Sequence, residues 1–148
     1  MGIKTIMSDA TRFSGALLNL YNLQVQNAQY QQSSSEKVLV QSNSSEQAYW
    51  TLKQQLFQYL KGYLNKSVRV IARNPSKPKY YFKLTENTLR VVSQKGADKE
   101  EWAISFKDQQ IQHNQQTVSM QSLDQLSDLF LEISSTLDST DYQLLVSR

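Results

Sequence analysis

Hydrophobic residues recur at helical spacing in three parts of the chain. In residues 9–30 the pattern includes Phe13, Leu17 and Leu20, and it blurs after Tyr21. In residues 122–137 the apolar positions follow one another at steps of three and four. Such steps place side chains on one face of a helix. Together with residues 45–65, these segments predict three helices.

The helix predicted at residues 45–65 carries two neighbouring apolar stripes. The first stripe consists of Tyr49, Leu52, Leu56, Leu60 and Tyr63. The second consists of Trp50, Phe57 and Leu64. Two stripes indicate either a wide face buried on a sheet or a surface for a partner. We therefore name Trp50, Phe57 and Leu64 as a candidate protein interface.

Capping-box patterns mark the beginnings of two of these helices. Ser44 is followed by Gln47, and Ser122 is followed by Gln125. In this pattern the serine hydroxyl and the glutamine side chain satisfy free backbone amides at the helix start. We predict helix starts at both serines.

Between the second and third helices the hydrophobic pattern changes to a period of two, which predicts strands. The alternating segments are residues 68–73, 79–85, 88–93, 102–107, 110–113 and 117–120. We predict a polar loop at residues 94–101 and a further short strand from Tyr142 to Val146. The expected fold is α+β: two N-terminal helices, an antiparallel β-meander of four to six strands, and a C-terminal amphipathic helix.

Glutamine and serine are concentrated between the first two helices. The stretch at about 31–44 has few apolar residues and is typical of a loop or linker. Its short apolar run at residues 38–40 would either add an edge strand or dock on the core. With a length of 148 residues, we expect one domain, residues 1–148.

Charge is distributed unevenly along the chain. The net charge is +3 overall, but residues 53–99 hold eleven basic and two acidic residues, whereas residues 100–148 hold two basic and eight acidic residues. This asymmetry predicts either an anionic partner for the middle of the chain or attraction between the two halves of one fold.

The strand pattern places most of the middle cations on one sheet face. If the first three strands form a meander, that face carries Arg69, Arg73, Lys79, Tyr81, Lys83 and Arg90. Cations bind phosphates and an aromatic ring stacks on a base, so this set is a candidate site for RNA or single-stranded DNA. Lys95 and Lys99 would extend it. The alternatives are an ordinary solvated sheet face and a face covered by the acidic C-terminal helix.

The inventory of catalytic residues is small. The chain has no cysteine and one histidine, His113, which excludes thiolate chemistry and two-histidine metal sites. We expect His113 to be a hydrogen-bonded residue at a hairpin end rather than a base. We expect the acidic row Asp124, Asp128 and Glu132 to be a solvated helix face. No catalytic residue, metal site or cofactor is predicted.

These observations favour a non-catalytic binding or adaptor domain, a subunit of an intracellular protein assembly whose main partner is another protein. The first alternative is a nucleic-acid-binding domain that uses the cationic face, and the second is a small enzyme whose carboxylates come together only on folding. The absence of a bilayer-length apolar run and of a visible secretion signal favours the cytoplasm. The sequence does not determine the oligomeric state.

Overall fold

The computed structural model describes residues 9–33 and 44–148, and its side chains are described for residues 9–23 and 46–148. Its helices are α1 (Asp9–Ser33), α2 (Ser44–Leu60) and α3 (Leu123–Leu137). The predicted α+β class is confirmed. Residues 34–43, which form most of the predicted Gln/Ser-rich loop, lie outside the described residues.

Seven strands form a single antiparallel sheet. They are β1 (Ser67–Ala72), β2 (Lys79–Leu84), β3 (Thr88–Lys95), β4 (Asp98–Ser105), β5 (Gln110–His113), β6 (Gln116–Val118) and β7 (Tyr142–Ser147). Their order across the sheet is β6-β5-β4-β3-β2-β1-β7. The first six strands are therefore a meander, as predicted. The predicted tail strand joins the sheet beside β1 as β7, which brings the total to one more than the predicted maximum.

The prediction of a polar loop at residues 94–101 is wrong. Strand β3 continues to Lys95, which pairs with Asp98 at the start of β4. Only Gly96 and Ala97 form the turn, and Gly96 has a φ of +64°. A glycine at positive φ permits a tight two-residue hairpin. The segment is polar because its side chains at this end of the hairpin are exposed.

The helix ends differ in detail from those predicted. Helix α2 stops at Leu60 and is followed by a short 3₁₀ turn, Lys61–Tyr63, so the predicted helix end at residue 65 is wrong. Before α3, a 3₁₀ turn at Met120–Ser122 puts Ser122 in helical conformation, and its side chain forms no cap hydrogen bond. The predicted capping box at Ser122 is therefore wrong. The side chain of Ser44 lies outside the described side chains.

One apolar core lies between the three helices and one face of the sheet, and both contribute side chains to it. The strand residues that face it are Val68, Val70, Tyr80, Phe82, Leu84, Leu89, Val91, Trp102, Ile104 and Ile111, all buried. Phe13 of α1 packs edge-to-face on Phe82 of β2, with ring centroids 5.3 Å apart. Such edge-to-face pairs are favourable beyond the area they bury. The first apolar stripe, which runs along α2 and ends at Tyr63 in the 3₁₀ turn, is buried in the same core, as predicted.

Helices α1 and α3 cross closely at two serines. The Ser14 hydroxyl donates to the carbonyl oxygen of Ser134, and the Ser134 hydroxyl donates to the carbonyl oxygen of Ser14, at 3.0 and 2.9 Å. Both serines are buried. Small side chains allow the two backbones to approach, and the mutual bonds satisfy the buried hydroxyls. Within the described ranges, no helix is long and apolar enough to cross a membrane.

The opposite face of the sheet is the open face. It carries the strand residues that alternate with the core residues, including Arg69, Ile71, Tyr81, Val92 and Leu145. In the described part of the chain, all three helices pack their buried apolar side chains in the core on the other side of the sheet. The helices therefore leave this face free for other contacts.

Candidate functional site: the basic face of the sheet

The structure brings five of the six residues predicted for nucleic-acid binding together on the open face. They form the basic cluster, which consists of Arg69, Lys79, Tyr81, Lys83 and Arg90. Arg69 lies on β1, Arg90 on β3, and the other three on β2 between them. The cluster thus spans three adjacent strands near the middle of the sheet.

Tyr81 lies at the centre of the basic cluster. It is directly opposite Arg69 on one side and Val92 on the other. Lys79 and Lys83 are its same-face neighbours along β2. The Arg90 guanidinium lies over the Tyr81 ring, 5.8 Å from the ring centroid. The Tyr81 hydroxyl is 3.3 Å from that of Ser67. The ring is therefore held in place and surrounded by cations.

Lys83 and Arg90 are directly opposite each other on neighbouring strands. Like charges in this position destabilise a sheet. Arg90 is compensated by Glu101, whose Oε2 accepts from its Nε at 2.8 Å. Among the described residues, neither Lys83 nor Arg69 forms a salt bridge. The cluster therefore holds more positive charge than its neighbours neutralise.

Most of the acidic residues in the last third of the chain lie elsewhere. Helix α3 packs on the core side of the sheet, where Glu132 accepts from the Tyr80 hydroxyl at 2.7 Å and binds Lys95 at 3.0 Å. Asp141 pairs with Lys77 at 2.8 Å. The alternative in which the acidic helix covers the cationic face is therefore wrong.

Of the three other cations predicted for this face, one lies on it and two do not. Lys95 is bonded to Glu132 on the helix side of the sheet, so its predicted place in the site is wrong. Lys99 is opposite Gln94 and does extend the open face. Arg73 follows the last residue of β1, in a bend where its N–H donates to the carbonyl oxygen of Asp141. It lies outside the paired part of the face.

The second apolar stripe, Trp50, Phe57 and Leu64, is divided between core and surface, and Leu64 lies beyond the end of α2. Phe57 and Leu64 are half-buried against the core, and Leu64 also forms a bridge to Leu84. Trp50 remains 58% exposed. Beside it lies a shallow cavity of about 270 Å³ whose lining includes Tyr49, Lys53, Phe106 and Lys107. Only Trp50 of the three predicted interface residues presents a large apolar surface.

His113 is at a hairpin end, as predicted. Its ring stacks on the buried Trp102 with centroids 4.0 Å apart and an interplanar angle of 13°. Its Nε2 is 2.8 Å from Oε2 of Glu100. The hydrogen-bond partner of the ring is therefore a carboxylate. The stacked and hydrogen-bonded ring is what a structural histidine requires, and we assign it no catalytic role.

The acidic row on α3 does not converge. Glu132 accepts hydrogen bonds from Tyr80 and Lys95, whereas Asp124 and Asp128 are exposed. In the part of the chain that the structure describes, no group of three or more histidine or acidic side chains is placed to hold a metal ion.

Sequence reasoning missed the one carboxylate of the open face, Glu101. The polar composition of residues 94–101 predicts a loop there, although the alternation of Glu101 with Trp102 already indicates the strand face opposite the core. Comparison of the chain with protein-family models, with curated proteins and with solved structures finds no match.

Proposed function

We propose that this chain is a non-catalytic binding domain that binds RNA or single-stranded DNA on the open face of its sheet. The observation that carries the proposal is the direct pairing of Lys83 with Arg90, with Arg69 diagonal to Lys83 across β1 and β2. Glu101 neutralises Arg90, whereas Lys83 and Arg69 form no salt bridge among the described residues. Repulsion between these side chains is relieved when a phosphate binds among them. Bound phosphates also release counterions from the nucleic acid, which favours binding.

A single strand fits this face better than a duplex. The face is an open sheet with a half-buried aromatic ring, Tyr81, at the centre of the cations. Bases of a single strand can stack on an aromatic ring, whereas bases inside a duplex cannot reach one. The Arg90 guanidinium above the ring is planar and offers a second stacking surface. We expect little sequence preference because stacking and phosphate contacts are common to all bases.

The test is fluorescence anisotropy with labelled single-stranded RNA and DNA at two salt concentrations. We expect the double variant Arg69→Glu, Lys83→Glu to lose detectable binding while keeping its fold, because Arg69 is exposed and Lys83 half-exposed. Affinity of the unchanged protein should fall with salt, with a log–log slope of about −3 for four phosphate contacts. Tyr81→Ala should weaken binding by about 1–3 kcal/mol.

A matched control is Lys61→Glu with Lys107→Glu. Both lysines are exposed and lie outside the strands of the sheet, so the pair changes net charge equally without touching the basic cluster. This control should bind as the unchanged protein does. Equal loss in both double variants would indicate attraction to overall charge alone. No binding even at low salt would exclude the nucleic-acid proposal, since screening is weakest there.

A second candidate function is that of an adaptor subunit in a protein assembly. It is supported by Trp50, which is 58% exposed beside the cavity lined by Tyr49 and Phe106. Tryptophan is among the residues that most often dominate binding at protein interfaces. A partner would place an apolar side chain in the cavity, against the Trp50 ring.

The adaptor candidate is tested by purifying the chain with its partners from the native host and reconstituting the complex from purified components. Trp50→Ala should abolish the complex without loss of stability, because the ring is outside the core. Leu18→Ala is the matched control, since Leu18 is another exposed apolar side chain, on α1. If Trp50→Ala binds the partner as tightly as Leu18→Ala does, Trp50 is not the contact.

A further inference from the structure

The two edges of the sheet differ in how they are protected against pairing with another strand. Strand β6 forms one edge with only three residues, Gln116–Val118. Strand β7 forms the other with six residues, Tyr142–Ser147. Proteins usually prevent an edge strand from pairing further by keeping it short or by placing a charged residue or a proline on it. Strand β6 is protected by its shortness, whereas β7 contains neither a charged residue nor a proline.

The side chains of β7 are suited to pairing. Leu144 and Leu145 are half-buried, on opposite faces of the sheet, and Val146 is 36% exposed. In the described part of the chain, β7 pairs only with β1. Its other edge therefore presents backbone donors and acceptors together with apolar side chains, which is the arrangement used in strand addition.

The β7 edge is complementary to itself in an antiparallel register. When the two-fold axis passes through Leu144 or through Leu145, residues on the same face of each sheet meet across the junction. With the axis at Leu144, that residue meets its own copy and Tyr142 meets Val146. With the axis at Leu145, Leu144 meets Val146. Both registers pair apolar side chains, which stabilises adjacent strands.

The charges that flank β7 favour the same arrangement. Asp141 immediately precedes the strand and Arg148 immediately follows it. Antiparallel pairing brings the start of one strand beside the end of the other, so opposite charges lie at each end of the junction. Parallel pairing would instead place like charges together.

We infer that the β7 edge is an interface with a second copy of this chain, formed by antiparallel β7–β7 pairing about a two-fold axis. The resulting sheet has fourteen strands and ends at two short β6 edges, so the assembly closes at a dimer. The axis is perpendicular to the sheet, so the open faces of both copies lie on the same side. A junction of six-residue strands is small, so the dimer is weak and dissociates on dilution. The inference does not rest on the proposed nucleic-acid binding.

The first measurement is sedimentation of the full chain over a range of concentrations, without nucleic acid. We expect a monomer–dimer equilibrium in the unchanged protein. Val146→Lys, which adds an edge lysine at an exposed position, should shift it to monomer. Thr117→Lys makes the matched change on β6 and should leave it unaltered. A protein that is monomeric throughout, or two lysine variants with the same effect, would overturn the inference.

The second measurement is oxidative cross-linking, which is clean because the chain has no cysteine of its own. Directly opposite residues of antiparallel strands have Cα atoms about 4.5–5.5 Å apart, within the range that a disulfide spans. Either Leu144→Cys or Leu145→Cys should form a covalent dimer, according to the register. Val146→Cys should not, since it does not meet its own copy in either register. Equal cross-linking of all three variants would indicate random collisions and contradict the pairing.

If the protein is monomeric, hydrogen exchange shows whether another segment of the chain pairs with the β7 edge. Protected outward-pointing amides in β7 would then show that another segment of the same chain pairs with the edge. Unprotected amides would show an empty edge. Either result for a monomer rejects the second copy, while the anisotropy experiment on the basic cluster remains unaffected.

Discussion

At the scale of single residues, Tyr80 connects the sheet to the last helix. Its ring is buried in the core, and its hydroxyl donates to Oε2 of Glu132 at 2.7 Å. Lys95 binds the same carboxylate from β3. Burial is the main cause of a strongly raised pKa for the Tyr80 phenol, and Thr136 and Glu132 also affect it. This residue therefore makes stability sensitive to alkaline pH.

We predict that the free energy of unfolding falls as the pH rises above about 10. The phenols of the unfolded chain lose their protons near the ordinary tyrosine pKa of 10.0, whereas Tyr80 in the folded chain keeps its proton. Alkaline pH therefore favours the unfolded state. Burial also raises the pKa of Tyr49, Tyr63 and Tyr142, so these residues contribute in the same direction.

The test compares urea unfolding of the unchanged protein and Tyr80→Phe from pH 8 to 11.5. At pH 8 the variant should be less stable by about 1 kcal/mol, because one hydrogen bond is lost. Above pH 10 its stability should decline less steeply, because phenylalanine has no proton to release. Parallel declines in the two proteins would contradict the role of Tyr80.

Prediction from sequence succeeded for residues whose side of the sheet follows from the alternation of apolar and polar residues along a strand. Arg69, Tyr81 and Lys83 face away from the core because their strand neighbours are apolar. The bonds between Ser14 and Ser134 could not be predicted in this way, since the two serines are 120 positions apart. A polar residue within an apolar stripe gives no sign of which distant backbone it will meet.

At the scale of elements, the lengths of the strands depend on tight turns that the polar composition of the chain does not reveal. Polar residues at 94–101 resembled a loop, yet Gly96 closes a two-residue turn and the strands continue on either side. The β5–β6 hairpin turns at Asn114 and Gln115, both at positive φ, 53° and 69°. The sequence predicted this hairpin but not the strain within it, because glutamine is not a usual residue for that conformation.

We predict that Gln115→Gly stabilises the protein by about 0.5–1 kcal/mol, because glycine adopts positive φ without steric cost. Asn114→Gly should give no such gain. Its Oδ1 accepts a hydrogen bond from the Glu101 N–H at 2.9 Å, and that bond would be lost. Thermal unfolding of both variants measures the difference. Stabilisation by both would show that the asparagine bond has little weight, and stabilisation by neither would show that the turn is unstrained.

At the scale of the whole molecule, the sequence predicted the class and the meander but left open which face of the sheet the acidic helix would cover. Charge alone favoured the cationic face for that helix. The apolar stripe of α3 decided otherwise, since Leu126, Phe130 and Ile133 are buried in the common core. Hydrophobic burial of a helix face outweighs attraction between solvated charges, and the basic cluster stays exposed as a result.

The position of β7 also bears on the order in which the chain assembles. Each of the other strand pairs joins neighbours in sequence, so the meander can form hairpin by hairpin from contacts that cost little loop entropy. Ala72 and Tyr142, in contrast, pair across seventy positions. Strand β7 can take its place only after β1 exists and α3 has carried the chain back across the sheet. We therefore expect the strand that completes the sheet to be the last that is secured during folding.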